Sequence, residues 1–386
     1  MTLPVFTLGP DWSFSVSEKL TWLTEVFTSF DGHEQRVGHR SQPRRTLEYT
    51  GSAFGMERRK AEGMVQAALG QQVDLPMYTS ELRLGSSVPL NGTQLNITGT
   101  CNHMQSREFV GGGRVAFRDS IFHCDIQTLN SVTSSQLQFS PALEHSALAN
   151  AYPVRIARLM PEVSVNRLTP NLCQLSLRLE ILDSPDLTVG TYPQFEGIDV
   201  CEMSPNWADG ESTTYGRDLR VLDNETIRVP TLLDPAGSSV ATSRFSFLLR
   251  NFGKVQKYRQ WLFTRKGKLV PFWQPSWNSD MVVKYTDPAI NSIAVDYAGY
   301  VDYMRSKPNR SVIRITTTTG TYYKRVINSW YGDGLEGLQV DALPTGTITS
   351  VMFMTKSRLD MDEAEISWVR PGLAQSQMVV KELLYG

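Results

Sequence analysis

Two stretches of the sequence read as the same closing β-strand, Leu172-Cys-Gln-Leu-Ser-Leu-Arg-Leu-Glu-Ile-Leu182 and Leu373-Ala-Gln-Ser-Gln-Met-Val-Val-Lys-Glu-Leu383. They lie 201 positions apart, and Pro170 and Pro371 precede them at the same offset. Similarity that recurs at a fixed interval marks an internal repeat and governs the fold prediction before any local motif does. The sequence therefore predicts that a unit of roughly 190 residues occurs twice.

Five further landmarks keep the same order in the two halves. They are Pro10–Trp12 with Pro205–Trp207 at an offset of 195, Arg45–Tyr49 with Arg244–Leu248 at 199, Pro76 with Pro271 at 195, Leu129–Ser131 with Ile327–Ser329 at 198, and Ala142–Leu143 with Ala342–Leu343 at 200. Chance seldom places so many landmarks in one order at such similar offsets. A duplicated unit predicts a function that rests on assembly and surface contacts rather than on one catalytic pocket.

Each predicted unit contains one helix among several strands. Helix-like periodicity covers Glu57–Leu69 and Val255–Thr264, with apolar residues on one face. Gly70 and Gly267 follow these stretches, and a left-handed glycine commonly ends a helix. The fold class is therefore predicted as mainly β with short helices (α+β), a tandem internal duplication of a helix-plus-β-barrel or sandwich unit.

Four segments are predicted along the chain. Residues 1–40 form an N-terminal arm of repeat 1, 41–190 the body of repeat 1, 191–243 a linker and the arm of repeat 2, and 244–386 the body of repeat 2. The halves are expected to separate near Thr188–Pro193, where Gly and Pro interrupt the pattern. In the second body, strands are predicted at Ser311–Thr318, Thr321–Trp330, Ser350–Thr355 and Glu365–Val369.

The N-terminal arm is a candidate partner-binding segment. Its large apolar residues are Phe6, Trp12, Phe14, Leu20, Trp22, Leu23 and Phe27. Together they are too apolar to face water, so we expect them to pack on the first unit or to cover a neighbouring molecule.

Composition limits the class of protein. Hydrophobic residues make up 41% of the 386 and charged residues 20%, which favours folded cores over disorder. Lys plus Arg (38) nearly balances Asp plus Glu (39), so a duplex-binding surface is not expected. The N-terminus has no basic segment followed by an apolar one, and no apolar run reaches 18 residues. The sequence thus predicts a soluble protein with no membrane segment and no nucleic-acid recognition.

Residues that often carry chemistry are present without the spacing that chemistry requires. The cysteines Cys101, Cys124, Cys173 and Cys201 form no CxxC pair, and buried free thiols are expected. The histidines His33, His39, His103, His123 and His145 form no HExxH motif. Gly111–Gly113 lacks the Lys-Ser/Thr of a phosphate loop and favours a hairpin or loop. No catalytic residue, no cofactor and no metal is predicted.

Two clusters have alternative interpretations. Asp360, Asp362, Glu363 and Glu365 suggest calcium or paired-carboxylate chemistry, but they lack the central glycine of an EF-hand loop and favour a solvated acidic loop. Arg265, Lys266 and Lys268 lie near Trp261, Phe272, Trp273 and Trp277, a mixture that can bind a single strand or a sugar. Cations that complement a helix dipole and aromatics that fill the core explain the second cluster equally well.

The segment Tyr258-Arg-Gln-Trp-Leu-Phe-Thr-Arg-Lys-Gly-Lys-Leu-Val-Pro-Phe-Trp-Gln-Pro-Ser-Trp277 resembles a pattern of long-tailed bacteriophage tail-tip proteins. There, a helix ending in bulky residues precedes an Arg-x-Gly turn and an apolar-Pro-x-Trp strand. The closing segment Ser357–Trp368, followed by Ala374–Leu383, is also similar to the end of such proteins. The resemblance covers mainly 244–386 and, through the repeat, faintly 45–182.

The resemblance implies a structural virion protein of the tail tip, a distal tail or baseplate protein that is assembled in the host cytoplasm. Its expected partners are copies of itself in a trimeric or hexameric ring, the tail tube protein, and baseplate hub and fibre proteins. Two alternatives stay open. One is a carbohydrate-binding adhesin module that uses Trp273, Trp277, Tyr322 and Tyr323, and the other is a glycan-cleaving enzyme with two carboxylates across a groove.

Overall fold

The computed structural model describes residues 3–83, 92–96, 108–133, 136–144, 150–183, 190–217, 219–222 and 231–384. Three residues singled out above, Cys101, His103 and His145, lie outside the described residues, as does part of the predicted boundary at 188–193.

The first half is built from short antiparallel strands and one long helix. Its strands are β1 (Val16–Thr21), β2 (Thr24–Thr28), β3 (Glu34–Gly38), β4 (Arg44–Phe54), β5 (Gln72–Pro76), β6 (Leu82–Arg83), β7 (Gln94–Asn96), β8 (Arg114–Arg118), β9 (Cys124–Val132), β10 (Gln136–Ser140), β11 (Asn150–Leu159), β12 (Ser164–Thr169) and β13 (Leu172–Ile181). Helix α1 (Met56–Ala68) follows β4, and a 3₁₀ turn covers Tyr78–Ser80.

The second half also consists of antiparallel strands and one long helix. Its strands are β14 (Gln194–Phe195), β15 (Ile198–Asp199), β16 (Ser212–Gly216), β17 (Arg220–Leu222), β18 (Thr231–Leu233), β19 (Val240–Leu249), β20 (Phe272–Pro275), β21 (Val283–Asp287), β22 (Ser292–Asp296), β23 (Val312–Thr317), β24 (Thr321–Arg325), β25 (Asn328–Gly332), β26 (Leu335–Gln339), β27 (Ile348–Leu359), β28 (Glu363–Arg370) and β29 (Leu373–Glu382). Helix α2 (Phe252–Arg265) follows β19, and shorter helical turns cover Trp207–Asp209, Tyr300–Met304 and Pro308–Arg310.

Eight strands form one continuous antiparallel sheet across both halves. Their order is β16-β19-β29-β28-β1-β4-β13-β12. Along the strands of this spine sheet, residues alternate between a face that lies in the core and a face that carries polar side chains. This pattern is expected for an antiparallel sheet that is covered on one side. Helices α1 and α2 contribute buried residues to the main core, which draws on both halves.

The same succession of strand pairings occurs in each half. In the first, β4 pairs with β1 and β13, and β13 pairs with β12 and β11. In the second, β19 pairs with β16 and β29, and β29 pairs with β28 and β27. A register shift interrupts β12 between Arg167 and Thr169 and β28 between Trp368 and Arg370, which are 201 positions apart. The offset thus equals that of the closing strands.

The strand register corrects two of the landmark alignments. Ala53 pairs with Cys173 and Leu249 pairs with Ala374, so the offset along β4 and β19 is 196 rather than the 199 that aligned Arg45 with Arg244. Sequence similarity alone allowed this slip of three residues, because alternating strands resemble one another at several offsets.

The proline landmark in β5 and β20 was also misaligned. Pro76 pairs with Val154, and Pro275 pairs with Met354. The partner strands β11 and β27 are offset by 200, as their pairings with the closing strands show. Aligning the two halves by these strand pairings places Pro275, and not Pro271, at the position of Pro76.

Local predictions agree with the structure in most places. The mainly β class is confirmed, and both helices lie within three residues of the predicted bounds. The predicted strand Thr321–Trp330 is wrong as one element, because Thr321–Arg325 pairs with β23 while Asn328–Gly332 pairs with β26 in a separate sheet. β27 is longer than predicted, because one end pairs with β29 of the spine sheet and the other end pairs with β23 of an outer β-layer.

Each half carries an outer β-layer with its own small core. In the first half, buried residues from β6 to β10 form a cluster that includes Phe117 and Phe139. In the second, strands β21 to β27 and the turn at 300–304 surround a cluster that includes Ile313 and Leu338. The fold is thus a shared spine with two outer β-rich lobes.

Gly267 is required by both its backbone and its neighbours. Its φ is +65°, and a methyl group at this position would overlap the carboxylate of Asp362 and approach Cβ of Trp22 to 3.1 Å. Gly70 has a similar φ of +69° but nothing within 4 Å. Both positions carry the free-energy cost of a left-handed backbone, and only Gly267 adds the cost of steric crowding. Substitutions at the two glycines therefore distinguish the two costs.

We expect Gly70→Ala to lower the free energy of unfolding by about 1 kcal/mol, the order of the left-handed penalty for an L-residue. Gly267→Ala should lower it by a further 1–3 kcal/mol, roughly, because overlap in a packed site adds to that penalty. Urea unfolding followed by tryptophan fluorescence measures both values. Equal losses would show that Gly267 has room for a side chain.

Candidate assembly interface

Strand β1 joins the two halves of the chain. It lies between β4 of the first half and β28 of the second, and it pairs with β28 from Val16 opposite Trp368 to Thr21 opposite Glu363. On the polar face of the sheet, the hydroxyl of Ser17 donates to Glu365 at 2.5 Å. The sheet of the second half is therefore joined to that of the first by ordinary antiparallel pairing between β28 and β1.

A buried ion cluster lies directly beneath this junction. It consists of Glu18 on β1, Arg45 on β4, Glu108 before β8, Arg155 on β11 and Arg259 on α2. All five residues are at most 8% exposed. Buried charges are tolerated only when they are paired and hydrogen-bonded, and this cluster joins elements from both halves through such pairs.

Each carboxylate of the ion cluster meets more than one cation. Nε of Arg45 donates to Glu18 at 2.9 Å, and Nη2 of Arg45 lies 2.7 Å from Glu108. Arg155 donates to the Glu108 carboxylate at 3.1 and 3.2 Å. Arg259 of the second half also donates to Glu18. Because α2 reaches β1 through this last contact, the helix of one half is fastened to the sheet of the other.

The indole of Trp368 completes the cluster. Its Nε1 donates to Glu18 at 3.0 Å, and the guanidinium of Arg259 lies 5.1 Å from the centroid of its ring. Burial acts to raise the pKa of Glu18, but Arg259 and Arg45 outweigh it and hold that pKa below its usual value. In the same way, Arg45 and Arg155 overcome burial and lower the pKa of Glu108 to about 2. Both carboxyls are therefore charged at neutral pH.

The β2–β3 hairpin makes a second contact between the halves. Its Glu34 pairs with Arg358 at 2.6 Å and with Lys381 at 3.3 Å, and Gly38 lies against Leu269. The predicted N-terminal arm is thus part of the fold: Phe6, Leu20 and Trp22 are buried, whereas Phe14, Leu23 and Phe27 stay exposed. The expectation that the arm packs on the first unit is too narrow, because Trp22 lies edge-to-face on Phe263 of the second half, with ring centroids 5.9 Å apart. Phe27, near the tip of the hairpin, stays uncovered.

The spine sheet ends in two open edges. Within the described residues, β12 pairs only with β13, and β16 pairs only with β19. The exposure of β16 contrasts with that of β1. Tyr215 is 68% exposed, while Leu20, at the corresponding place on β1, is 0% exposed. Open edges of this kind are templates for pairing with another chain unless they are covered.

The β17–β18 hairpin follows β16 in the chain as the β2–β3 hairpin follows β1. Like β2–β3, on which Phe27 and Val37 are exposed, it carries exposed apolar side chains, Leu219, Val221, Leu232 and Leu233. Isolated apolar residues on a surface need no explanation, whereas a group of them makes a surface a candidate for contact with a partner.

A cavity of 340 Å³ lies beside β16 in the second half. Glu211 and Asp280 line it, and burial raises the pKa of both carboxyls. Asp280 accepts hydrogen bonds from the hydroxyl of Ser276 at 2.5 Å and the backbone of Phe353 at 2.8 Å, which ties β20 to β27. Thr213 and Ala241 also line the cavity, and they take the positions of Glu18 and Arg45 when the two halves are aligned by strand pairing.

The structure places the predicted histidines and glycines in ordinary positions. His33, His39 and His123 are exposed and lie 2.9, 3.2 and 3.5 Å from Asp31, Glu25 and Asp119. Gly111–Gly113 is a turn, in which Gly112 donates to Leu129 at 2.7 Å. Cys173 and Cys201 are buried free thiols, as predicted, and Cys124 is partly buried. Among the described residues, no cluster of three or more His, Cys, Asp or Glu could hold a metal ion.

The acidic cluster is divided between different contacts. Asp360 pairs with Arg358 at 2.7 Å, and Asp362 accepts from the backbone of Thr24 at 2.9 Å. Glu363 and Glu365 lie on β28 with their side chains on the polar face. The cluster is therefore not a single solvated loop, since Asp362 connects the β27–β28 turn to the N-terminal strands.

The basic and aromatic cluster forms core rather than surface. Trp261, Phe272 and Trp273 are buried, and Arg265 lies 4.4 Å from the centroid of the Trp261 ring. Trp277 is half-buried beneath Arg314. Trp273 is therefore not part of an exposed sugar-binding platform, and Trp277, Tyr322 and Tyr323 are half-buried.

Comparison with protein-family models and with curated proteins gives no match for this sequence. No helix in the described part of the chain has both the length and the apolar character needed to cross a bilayer.

The ion cluster was missed in the sequence, although a signal for it exists. Glu18 lies between Val16 and Leu20, and Arg45 lies two residues before Leu47, so both occupy inward positions of alternating strands. A charged residue in the inward series of a strand indicates a buried ion pair. The sequence could not show that the partners, Glu108 and Arg259, come from distant segments.

We expect Glu18→Gln to lower the free energy of unfolding by about 3–5 kcal/mol, because Arg45 and Arg259 then keep only Glu108 as a buried counter-ion. Glu48→Gln is the matched control on the polar face, where Glu48 pairs with Lys19 at 3.0 Å while both remain partly exposed. That change should cost about 1 kcal/mol or less. Urea unfolding at pH 7 measures both, and similar losses would contradict a special role for the cluster.

Acid should weaken the protein through Glu108. Its folded pKa of about 2 lies below the usual 4.5, so its stabilisation is complete above pH 4.5 and is lost as the pH falls towards 2. The unfolding free energy of the wild type is therefore expected to fall more steeply between pH 5 and pH 2.5, roughly, than that of Glu108→Gln. Urea titrations across this range provide the test. Parallel curves would show that Glu108 is not held ionised by its arginines.

Proposed function

We propose that this chain is a structural virion protein of the tail tip of a long-tailed bacteriophage. In this proposal, copies of the chain form a ring that joins the tail tube to the baseplate hub or fibres, and the chain has no catalytic role. The observation that carries the proposal is the spine sheet, a continuous antiparallel wall that ends in two open edges. A subunit of a closed β-walled ring requires such a wall and such edges.

The polar face of the spine supports a water-filled interior. It carries Ser17, Lys19, Thr46, Glu48, Thr50, Gln174, Ser176, Arg178, Thr242, Arg244, Ser246, Glu363, Glu365, Ser367, Gln375 and Gln377. The charges on this face are mixed in sign, for example Lys19 with Glu48 and Arg178 with Glu48. A face of this kind suits the lining of a channel, while the apolar face and its helices form the outer wall.

The segments that resemble tail-tip proteins fall on the framework of the second half. Residues 258–277 form the body of α2, the turn at Gly267 and strand β20, and residues 357–368 form the end of β27 and the start of β28. These segments surround Arg259 and Trp368, two members of the junction. Within the proposal, the pattern builds the contact between units.

We also propose that the two halves are tandem duplicates. The matching strand pairings, the two register shifts 201 positions apart and the helices in equivalent places support this interpretation. Each chain then contributes two similar units to the ring, so three chains supply six units and six chains supply twelve. The first arrangement lets a threefold hub meet a sixfold tube.

The diameter of the proposed ring follows from the number of strands in its closed sheet. Eight spine strands per chain give about 24 strands for three chains and about 48 for six, and the diameter of a closed sheet grows in proportion to strand number. With strands about 4.8 Å apart and tilted by about 40°, the backbone diameters are roughly 50 Å and roughly 100 Å.

The purified protein is expected to form rings with a central channel. Light scattering should give the mass of three or six chains, and negative-stain imaging should give the corresponding diameter. Glu48→Gln, a change on the channel face, serves as a control that leaves assembly intact. A protein that stays monomeric both alone and with an isolated tail tube would contradict the proposal.

A further inference from the structure

We propose that β12 of one chain adds to the open edge of β16 of the next chain, in the register that β28 and β1 use within a single chain. The inference rests on the proposed function, because it assigns the contact that closes the ring. The contact inside the chain already shows the geometry: a strand of one unit completes the sheet of the other. If the units are duplicates, β16 and β12 are the counterparts of β1 and β28 whose partners are missing.

The register follows from the strand pairings. Ser17 pairs with Glu48 and Ser212 pairs with Arg244, which sets the offset between β1 and β16 at 195 once β4 and β19 are aligned at 196. The offset between β12 and β28 is 201. Transferring the pair Val16–Trp368 to the open edges therefore places Glu211 opposite Arg167 of the neighbouring chain.

The residues brought together in this register complement one another. Glu211 lies on the rim of the cavity, where burial raises its pKa, and a neighbouring cation would offset that effect. Arg167 already pairs with Glu62 of its own chain at 3.3 Å, and its side chain is still 59% exposed, which leaves guanidinium donors accessible to Glu211 of a neighbour. A pair of opposite charges facing each other across two strands is favourable and fixes the register.

The same register covers exposed apolar surface. Thr213 would face Val165, and Tyr215 would face Val163, two valines that are only half-buried in one chain. Tyr215, the most exposed of these side chains, would become buried as Leu20 is at the junction within the chain. The apolar β17–β18 hairpin then reaches the neighbour, as β2–β3 reaches the second half.

The two junctions would differ in charge at their centres. Counterparts of Glu18 and Arg45 at the offsets above are Thr213 and Ala241. Aligning the first residues of the two helices, Met56 and Phe252, places Gly63 at the position of Arg259, so all three counterparts are uncharged. The contact between chains would thus lack the buried ion cluster and depend on strand pairing, apolar cover and the Glu211–Arg167 pair. This difference prevents β1 and β16 from exchanging partners, since a buried charge without its counter-ion is costly.

Cysteine cross-linking tests the register. Thr214 and Ser164 would face each other on the polar side, with Cα atoms about 4.5–5.5 Å apart, inside the range of a disulfide. Mild oxidation of Thr214→Cys/Ser164→Cys should give a ladder of covalent oligomers that ends at the ring size. The matched control is Thr214→Cys/Asn166→Cys, in which the cysteines are diagonal neighbours about 7–8 Å apart and should cross-link at least tenfold more slowly. Each single cysteine variant controls for reaction with the native thiols.

Charge reversal provides a second readout that needs no oxidation. Glu211→Arg and Arg167→Glu should each weaken assembly at least tenfold, and the double variant should recover it, as measured by the concentration at which light scattering detects rings. Rings without the Thr214–Ser164 cross-link and without this recovery would overturn the inference and leave the proposed function standing. A protein that remains monomeric and uncross-linked on the tail tube as well would overturn both.

Discussion

The junction depends on the carboxylate of Glu18, which lies fully buried where three elements meet. It receives Arg45 from its own sheet, Arg259 from the helix of the other half and the indole of Trp368 from the adjoining strand. Removing a charge from water is costly, so each of these contacts must be present at once for the arrangement to be stable. These contacts fix the position of α2 on the spine sheet and the position of β28 beside β1.

From this constraint the shape of the chain follows. With β28 fixed beside β1, the strands of both halves share one sheet, one apolar face and one main core, instead of forming two separate cores. The outer lobes add two smaller cores to this main core. The open edges β12 and β16 then lie at the two ends of the same sheet, which is the geometry that a repeating wall requires.

Much of the framework is readable from the sequence, because strands and helices are set by local periodicity. The helices, the closing strands and Gly267 are examples, and each depends on residues within a few positions. The pairing of β1 with β28 was not predictable in this way, since it joins Val16 to Trp368 across almost the whole chain. Register was also poorly specified: Arg45 was aligned three residues out, and only the hydrogen-bonded partners of β4 resolve it.

The candidate interface was harder to predict than the fold for a related reason. Aromatic residues such as Trp273 suggest a binding surface when read in sequence, yet burial depends on packing between distant elements. In the opposite direction, the short polar strand β16 gives no sequence signal of importance, because Ser, Thr and Gly are common in loops. Its meaning comes from its place at the end of the sheet.

The covalent connection between the halves has a consequence for assembly kinetics. Strand β28 is tethered to the chain that carries β1, so it meets its partner at an effective concentration that does not depend on how much protein is present. Contacts between separate chains have no such advantage, because they form by diffusion and are favoured only above a threshold concentration. In the proposed ring, closure would therefore respond to the level of expression, and each chain would enter assembly with one of its two junctions already made.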